Sequence, residues 1–526
     1  MLIALIAAAA TSLAAAPVVS SPRVPAAAIH YAIAMPDPAS HLYSITLDVA
    51  DAGSSVIRLQ MPVWSPGRYA RMDFAKNVQD FTVTDGKGDS LRWDRENGSL
   101  WRIYPGADHH VIAHYRVFAN DLSGTFSVLD TLHANWNGAS LFMYVQGRKP
   151  SPVTLHVEPP TGWHIINGDT RRLDQADYTF ENYDRLIDTP TEIAPSFMVD
   201  SFTVDGRLYR TVVHHNGPTT PEERARFVAS VRKIVEAHNR VIAPPPLRMY
   251  TFLVHAGFPG GDGMEHLYST QIIDRHPWSD SAAVLAGVET AAHEYFHVWN
   301  VKRIRPIALG PFDYTHEQYQ PSLWVAEGWT QYYGEMATSR AHLGSTADTY
   351  AMVAGIVQAN LTAPGRKEVS ARMASFEAPF FDGAPRAQKT NASQTYFTYY
   401  FKGAGLALAL DLMIRDRTGN ARSLDDALRA LKKLSWDQPN ASYYLQGRGY
   451  TEADVEHAVS QAMGSDMHSW FERHVGGTED VDFDSLLALA GHELDRKPLR
   501  WIISENPHAT ARQIALRDAW LADSHQ

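Results

Sequence analysis

The chain has 526 residues, of which 45% are hydrophobic and 20% are charged, a composition typical of a globular protein with about two to four domains. Fibrous and disordered classes are excluded on this ground. The formal net charge of -11 is modest for this length and Lys and Arg form no blocks, so we expect no nucleic-acid partner. Because the chain has no Cys, disulfides, Cys zinc sites and Cys nucleophiles are excluded.

The chain begins with an apolar segment, residues 1–16, that ends in small residues. It has the character of the hydrophobic segment and cleavage region of a secretory signal peptide, although no Lys or Arg precedes it. The segment is short for a bilayer span, and no other apolar run of about 18 residues follows. We therefore predict export to the periplasm or the cell exterior, with no stable membrane insertion once the signal is removed.

An all-β domain, with a sandwich architecture, is predicted over residues 29–203. Hydrophobic and polar residues alternate at residues 43–49, 57–61, 111–117 and 153–157. Turn signals such as Asp85-Gly86 separate these runs. Alternation of this kind is typical of strands that are buried on one face.

A helical period replaces the alternation after residue 220. Thr220 and Glu223 can form a capping box at the start of a helix, and the prolines at 244–246 end it. Residues 204–345 are predicted to form a second domain and residues 346–490 an α-helical domain, with an irregular segment around 364–393. A helical tail is expected over residues 491–526, because the residues at 511–521 favour a helix.

A metal-binding pattern lies near the end of a predicted apolar helix that begins around Ser281. His293 and His297 are four residues apart and therefore share one helical face, while Glu294 would point toward a water on the same ion. Glu327, in the sequence WVAEGW at 324–329, would be the third protein ligand. Three N or O ligands and an open fourth position are typical of catalytic zinc, so we expect one Zn²⁺ ion.

Histidines buried in the core and satisfied by backbone groups are the alternative explanation of this pattern. Two imidazoles and a carboxylate on an otherwise apolar helix are costly to bury unless something pairs them. A metal ion is the simplest such partner.

Four sequence features resemble the glycyl aminopeptidase family of zinc metallopeptidases, gluzincins that are related to aminopeptidase N and to thermolysin-like enzymes. They are MPVWSPGRY at 61–69, GMEH at 263–266, HEYFHVWNVKRIRP at 293–306 and YYFKG at 399–403. The resemblance spans about residues 29–490 and implies an α+β multidomain protein with a thermolysin-like catalytic domain at 204–345. Too few residues follow Asp480 for the PDZ domain that many family members carry, so no PDZ domain is expected.

The resemblance assigns roles at the metal centre. It implies the same three ligands, and it makes Glu294 the general base that passes a proton from the attacking water to the leaving amine. Tyr400 would donate to the developing oxyanion, with Tyr399 as the fallback. Ordinary aromatic packing is the alternative for Tyr400. The 29 residues between His297 and Glu327 exceed the usual spacing in aminopeptidase N relatives, so residues 305–322 are expected to loop out.

The same resemblance implies a substrate-binding role for two residues. Glu265 stands where relatives hold the free α-amino group of the peptide, and His266, where relatives have Asn, is a candidate substrate contact. The acidic neighbour Asp262 complicates assigning the whole negative charge to Glu265. A solvated turn glutamate is the alternative.

The sequence thus predicts an exported zinc aminopeptidase that acts on peptides, with the family-implied preference for a first residue such as Gly or Ala. A zinc endopeptidase with the same site, a non-catalytic peptide-binding protein that kept the fold, and a zinc hydrolase of a non-peptide bond stay open. The intact ligands and Glu294 count against a non-catalytic protein. The oligomeric state is not predicted.

Overall fold

The structure of the protein, a computed structural model, describes residues 28–170, 172–279, 281–382, 391–439 and 446–522. The predicted signal segment at 1–16 lies outside the described residues. The chain passes from a β-rich N-terminal part to a mixed sheet with flanking helices, and then to a helical part. The predicted mixed α+β organisation is confirmed.

Fourteen strands of the described residues form three sheets in the N-terminal part. They are β1 Ile29–Ala34, β2 Leu42–Val49, β3 Ile57–Gln60, β4 Val78–Thr84, β5 Trp93–Asn97, β6 Leu100–Ile103, β7 Val111–Phe118, β8 Val128–Leu129, β9 Ala134–Trp136, β10 Tyr144–Val145, β11 Val153–Glu158, β12 His164–Asn167, β13 Asp177–Phe180 and β14 Thr191–Ala194. The sheet orders are β13-β11-β1-β2-β7-β4, β10-β3-β6-β5 and β12-β14-β9-β8. One short helix, α1 Tyr183–Ile187, precedes β14.

The alternation in the sequence matches the burial of these strands. In β2 every second residue, from Tyr43 to Val49, is fully buried, and the residues between them are partly exposed. The first and second sheets pack against each other, because Phe81 of β4 stacks on Trp101 of β6 with ring centroids 5.4 Å apart.

The second sheet region contains five strands in the order β15-β16-β17-β19-β18. They are β15 Met198–Val204, β16 Arg207–His215, β17 Met249–Ala256, β18 Gly261–Glu265 and β19 Ser269–Asp274, and helices α2 Pro221–Val241 and α3 Ser281–Phe296 accompany them. The predicted capping box of Thr220 and Glu223 at α2 is confirmed. Since β15 pairs with β16 along its whole length, the predicted domain boundary at residue 203 falls inside a strand of this sheet.

Helices dominate the described residues after 322. They are α4 Leu323–Ala326, α5 Gly328–Arg340, α6 Thr346–Thr362, α7 Ala371–Phe376, α8 Ala378–Phe381, α9 Ala392–Thr395, α10 Tyr399–Thr418, α11 Leu424–Leu434, α12 Glu452–Met463, α13 His468–His474, α14 Phe483–Leu489 and α15 Ala511–Leu521. No helix among the described residues is long and apolar enough to cross a membrane.

The C-terminal segment departs from the predicted helical tail. Residues 492–505 form a hairpin of β20 His492–Arg496 and β21 Trp501–Glu505, and only α15 agrees with the prediction. The hairpin is stabilised by burial against helices, because His492 packs its ring 4.7 Å from that of Tyr350 on α6 and 5.9 Å from that of Trp520 on α15. Tertiary packing therefore decides the conformation here.

Candidate active site

The end of α3 and the start of α5 bring three potential metal ligands together. The Nε2 atoms of His293 and His297 lie 3.1 Å apart. Glu327 Oε2 lies 3.6 Å from His293 Nε2 and 3.2 Å from His297 Nε2. Bonds of about 2.0–2.2 Å at tetrahedral angles place the ligand atoms of a zinc ion about 3.3–3.6 Å apart. The three side chains therefore fit a single zinc ion.

Direct backbone contact between helices fixes this arrangement. A Cβ atom on Gly334 of α5 would lie 2.9 Å from the Cα of His293. A Cβ on Gly403 of α10 would lie 2.2 Å from the carbonyl oxygen of Trp324. Only glycine allows such close approach, and the contacts carry Glu327 and Tyr400 toward the end of α3.

Two hydrogen bonds orient the metal-binding side chains. His297 Nδ1 lies 2.7 Å from the backbone oxygen of Asn300, which leaves Nε2 for a metal. Tyr69, from the N-terminal part, donates its hydroxyl to Glu327 Oε1 at 2.8 Å. No local pattern in the sequence predicts this contact, although Tyr69 ends the MPVWSPGRY segment at 61–69.

Carboxylates surround the imidazole of His297. Burial lowers the pKa of His297, but the carboxylates of Glu327 and Glu265 outweigh it and raise the pKa to about 10. Single ligand atoms of Glu265, Glu294 and His297 lie within 4.8 Å of one another. The centre therefore favours positive charge, as a divalent cation supplies.

Glu294 and Glu265 each keep an unpaired oxygen in this buried environment. Among the described residues, Glu294 Oε2 and Glu265 Oε1 have no hydrogen-bond partner. Burial raises the pKa of Glu294 well above its usual range, and the negative charge of Glu265 adds to the effect. Such oxygens are costly unless they meet a cation or a proton donor, and a metal ion with its substrate offers both.

Asp262 does not share the charge of Glu265, because it has its own partner. Arg68 Nη2 lies 2.6 Å from Asp262 Oδ1, and the Gly124 amide donates to Asp262 Oδ2 at 2.9 Å. This ion pair neutralises Asp262. Glu265, at the end of edge strand β18, is left as the carboxylate with an unpaired oxygen.

Tyr400 lies beside the metal ligands at the start of α10. Its ring stacks with that of His293 at a centroid distance of 6.2 Å. Burial, with the nearby carboxylate of Glu327, raises the pKa of Tyr400 well above its usual range, so the hydroxyl keeps its proton and can donate it. The neighbouring Tyr399 is fully buried, whereas Tyr400 keeps part of its surface accessible.

A cavity of about 270 Å³ adjoins Glu265, and His266 lines it. His266 Nδ1 lies 3.0 Å from Asp188 Oδ1, and Lys302 donates to the same oxygen at 2.9 Å. His266 Nε2 has no hydrogen-bond partner among the described residues. The structure thus places His266 next to Glu265 on the wall of the same cavity.

The segment at residues 305–322 is mostly irregular, as predicted for an insertion that loops out, and it packs against the N-terminal part. Trp64 of the N-terminal part donates its indole N–H to the backbone oxygen of Asp313 at 2.6 Å. Tyr314 is fully buried and packs against the Trp64 ring. Phe312 and Tyr314 line the cavity. Aromatic packing therefore makes this segment one wall of the cavity.

Comparison with known proteins gives two family matches. Residues 30–195 match the model described as the peptidase M61 N-terminal domain, and residues 286–406 match the model of M61 glycyl aminopeptidase. A search of curated proteins gives no match.

Solved structures include similar chains. The crystal structure of an aminopeptidase N family protein from Idiomarina loihiensis shares 26% identity at a TM-score of 0.80, and the alignment covers 89% of this chain and 79% of that one. An M1 zinc metallopeptidase from Deinococcus radiodurans shares 14% identity at a TM-score of 0.47, with 83% and 90% covered.

Two imidazoles and a glutamate near the end of α3, with the carboxylate of Glu327 brought to them from the start of α5, are typical of a metallopeptidase on this fold. The chain belongs to the M61 glycyl aminopeptidase family, whose two domain models together match more than half of it. The family predicted from the sequence is confirmed.

Removing the hydroxyl that holds Glu327 should weaken metal binding. We expect Tyr69→Phe to lower zinc affinity roughly 10- to 100-fold, because the freed carboxylate is no longer oriented. Competition with a fluorescent chelator measures the affinity. Tyr31→Phe is the matched control, since it removes a buried hydroxyl that donates to the Met143 oxygen and touches no ligand. Equal affinity in both variants would contradict this role for Tyr69.

Adding a methyl group at the helix contact should destabilise the fold. Gly403→Ala is expected to lower the free energy of unfolding by about 1–3 kcal/mol, because the new Cβ overlaps the Trp324 carbonyl. Gly355→Ala, at an exposed site of α6 where a Cβ meets no described atom within 4 Å, should instead be neutral or stabilising by up to about 1 kcal/mol. Thermal and denaturant unfolding compare the two. A Gly403→Ala protein as stable as wild type would refute the close contact.

Proposed function

We propose that this metallopeptidase is a zinc aminopeptidase that removes single residues from the N-terminus of peptides. The carboxylate of Glu265 carries this proposal, because it is buried, partly unpaired and close to Glu294 and His297. A cationic α-amino group is its natural partner. Binding the amine at this place would present the first peptide bond to the metal centre.

His293, His297 and Glu327 would hold the zinc ion on the geometry described above. When bound, zinc supplies an electrophile that polarises the peptide carbonyl and makes water a nucleophile near neutral pH. One ion is proposed at this centre. We propose that the sheet and helices around it form the thermolysin-like catalytic domain that the family resemblance implies.

Glu294 and Tyr400 would carry the proton and the charge of the reaction. Glu294 takes a proton from the attacking water and delivers it to the leaving nitrogen, a role that suits a buried carboxylate with a raised pKa. Tyr400 donates its hydroxyl to the oxygen of the former carbonyl, where negative charge develops. Since its pKa is raised, Tyr400 stays a donor throughout.

The side chain of the first residue would lie next to Glu265, and we propose the family-implied preference for Gly or Ala there. Gly67 supports it, because a Cβ at Gly67 would lie 2.5 Å from Glu265 Oε2, so the N-terminal part closes directly over the carboxylate. The cavity that Gly67 and Glu265 both line has room for a longer side chain. Cleavage rates of peptides with Gly, Ala, Leu or Phe as the first residue test this preference. Faster cleavage after Leu or Phe would overturn the preference without affecting the exopeptidase mode.

We also propose that the protein is exported, on the ground of the apolar segment at residues 1–16. Its mature N-terminus, sequenced from a cell-envelope or culture-medium fraction, would show whether this segment is removed.

Replacing the proposed general base should abolish turnover but not metal binding. We expect Glu294→Gln to lower kcat roughly 10²- to 10⁴-fold, because the amide cannot accept the proton. Metal content, measured by mass spectrometry, should equal that of wild type. Glu335→Gln is the matched control, since Glu335 is a glutamate of α5 that accepts a hydrogen bond from Gln331 outside the site. Unchanged turnover of Glu294→Gln would remove the proposed mechanism.

Blocking the substrate amine should separate the aminopeptidase from the endopeptidase alternative. We expect N-acetylation of an alanyl peptide to abolish cleavage, because the α-ammonium can no longer pair with Glu265. Glu265→Gln should lower kcat/KM for the free peptide by roughly 10- to 100-fold, as the loss of a charged hydrogen bond implies. Mass spectrometry of the products measures cleavage of the acetylated peptide by wild type and cleavage of the free peptide by Glu265→Gln. Internal cleavage of the acetylated peptide would establish an endopeptidase instead.

A further inference from the structure

A second group of metal-binding side chains lies between the N-terminal part and the mixed sheet. His133 stands directly before β9 and Glu192 lies in β14, whereas His214 and His255 lie in β16 and β17. None of the four belongs to the catalytic centre. We call them the interdomain cluster.

The interdomain cluster converges on the carboxylate of Glu192. His255 Nε2 lies 2.9 Å from Glu192 Oε2, and His214 Nδ1 lies 3.3 Å from Glu192 Oε1. The ring of His133 lies 4.7 Å from that of His214 and 5.5 Å from that of His255, measured between centroids. His133, Glu192 and His255 each offer one potential ligand atom, and these three atoms lie within 4.8 Å of one another.

Burial makes the unpaired atoms of this cluster costly. Glu192 is 0% exposed, and His133 and His255 are each 1% exposed. Within the described residues, His133 Nε2 and His255 Nδ1 have no hydrogen-bond partner. A self-contained hydrogen-bond network at such depth would pair nearly all of these atoms.

Outer contacts hold the cluster in place, as they do around metal ligands. Asn135 donates to Glu192 Oε2 at 3.2 Å, and Gln271 in turn donates to the Asn135 side-chain oxygen at 2.7 Å. Asp130 lies 3.5 Å from His133 Nδ1. The ring of Phe258 lies 5.4 to 5.9 Å from the three imidazoles and excludes water on that side. Metal ligands that accept or donate a further hydrogen bond, and that are covered by apolar side chains, are typical of metal sites in proteins.

We propose that His133, Glu192, His214 and His255 bind a second divalent cation, which fastens the N-terminal part to the mixed sheet. Three imidazoles and one carboxylate best match Zn²⁺. Four protein ligands leave no open position, so the site is structural. A second ion would raise the number of bound zinc ions from the one that the sequence predicts to two. This second site does not depend on the proposed catalytic role of the first.

Metal stoichiometry tests this proposal. The protein is stripped with dipicolinate, dialysed and titrated with Zn²⁺, and bound metal is counted by mass spectrometry. We expect two equivalents in wild type and one in His293→Ala/His297→Ala, which leaves the interdomain cluster intact. His255→Ala should bind one equivalent, and the triple variant none. His156→Ala, which alters an exposed histidine paired with Asp177, is the control and should keep two.

Two outcomes would overturn the second site. One is a single equivalent in wild type that disappears in His293→Ala/His297→Ala, as expected if a proton shared among the imidazoles balances Glu192. The other is two equivalents that persist in His255→Ala. Should His255→Ala fail to fold, the His293→Ala/His297→Ala protein decides alone, and Zn²⁺ should raise its Tm if the ion joins the two parts.

Discussion

The contact between the backbones of α3, α5 and α10 is the constraint on which the catalytic centre depends. Gly334 lets α5 approach the turn of α3 that carries His293, and Gly403 lets α10 approach α4. Glu327 lies at the junction of α4 and α5, and Tyr400 begins the first turn of α10. Because rigid backbones set these positions, the ligand atoms reach metal-binding separations without relying on flexible side chains.

The N-terminal part completes the centre rather than merely covering it. Tyr69 holds the carboxylate of Glu327, and Arg68 neutralises Asp262. Gly67 closes directly over Glu265. Three consecutive residues of one β-domain segment therefore orient a ligand, set the local charge and bound the substrate site. Separating the two parts would remove more than a wall of the cleft.

Local patterns in the sequence predicted what local geometry determines. The strand alternation, the capping box of α2 and the shared face of His293 and His297 all depend on residues a few positions apart. The hydrogen bond from Tyr69 to Glu327 joins residues 258 positions apart, so no periodicity could reveal it. The interdomain cluster was missed for the same reason, because its four members come from separate parts of the chain.

The C-terminal segment differs from its sequence-based expectation, and the packing of the loop at residues 305–322 was not predicted, because tertiary burial decides both conformations. The aromatic side chains of Phe312 and Tyr314 favour burial, and they pack on Trp64. The spacing between His297 and Glu327 predicts only an insertion and says nothing of its packing. The hairpin at 492–505 is harder to predict from sequence, because its burial depends on two helices outside it. One is α6, which lies far from it in the sequence, and the other is α15, which follows it.

Charge balance links the metal to the exopeptidase mode. Three buried carboxylates, Glu265, Glu294 and Glu327, face the centre, and Arg68 and Asp262 cancel each other. A divalent cation would offset the charge of Glu327 and favour the ionised form of Glu294. Under the proposed function, the α-ammonium of a peptide pairs with the remaining carboxylate, that of Glu265. A blocked or internal segment would leave one buried carboxylate uncompensated, which is a cost of several kcal/mol in a low-dielectric site. Under the proposed function, the Glu265 carboxylate therefore binds the amine by the same electrostatics that hold the metal.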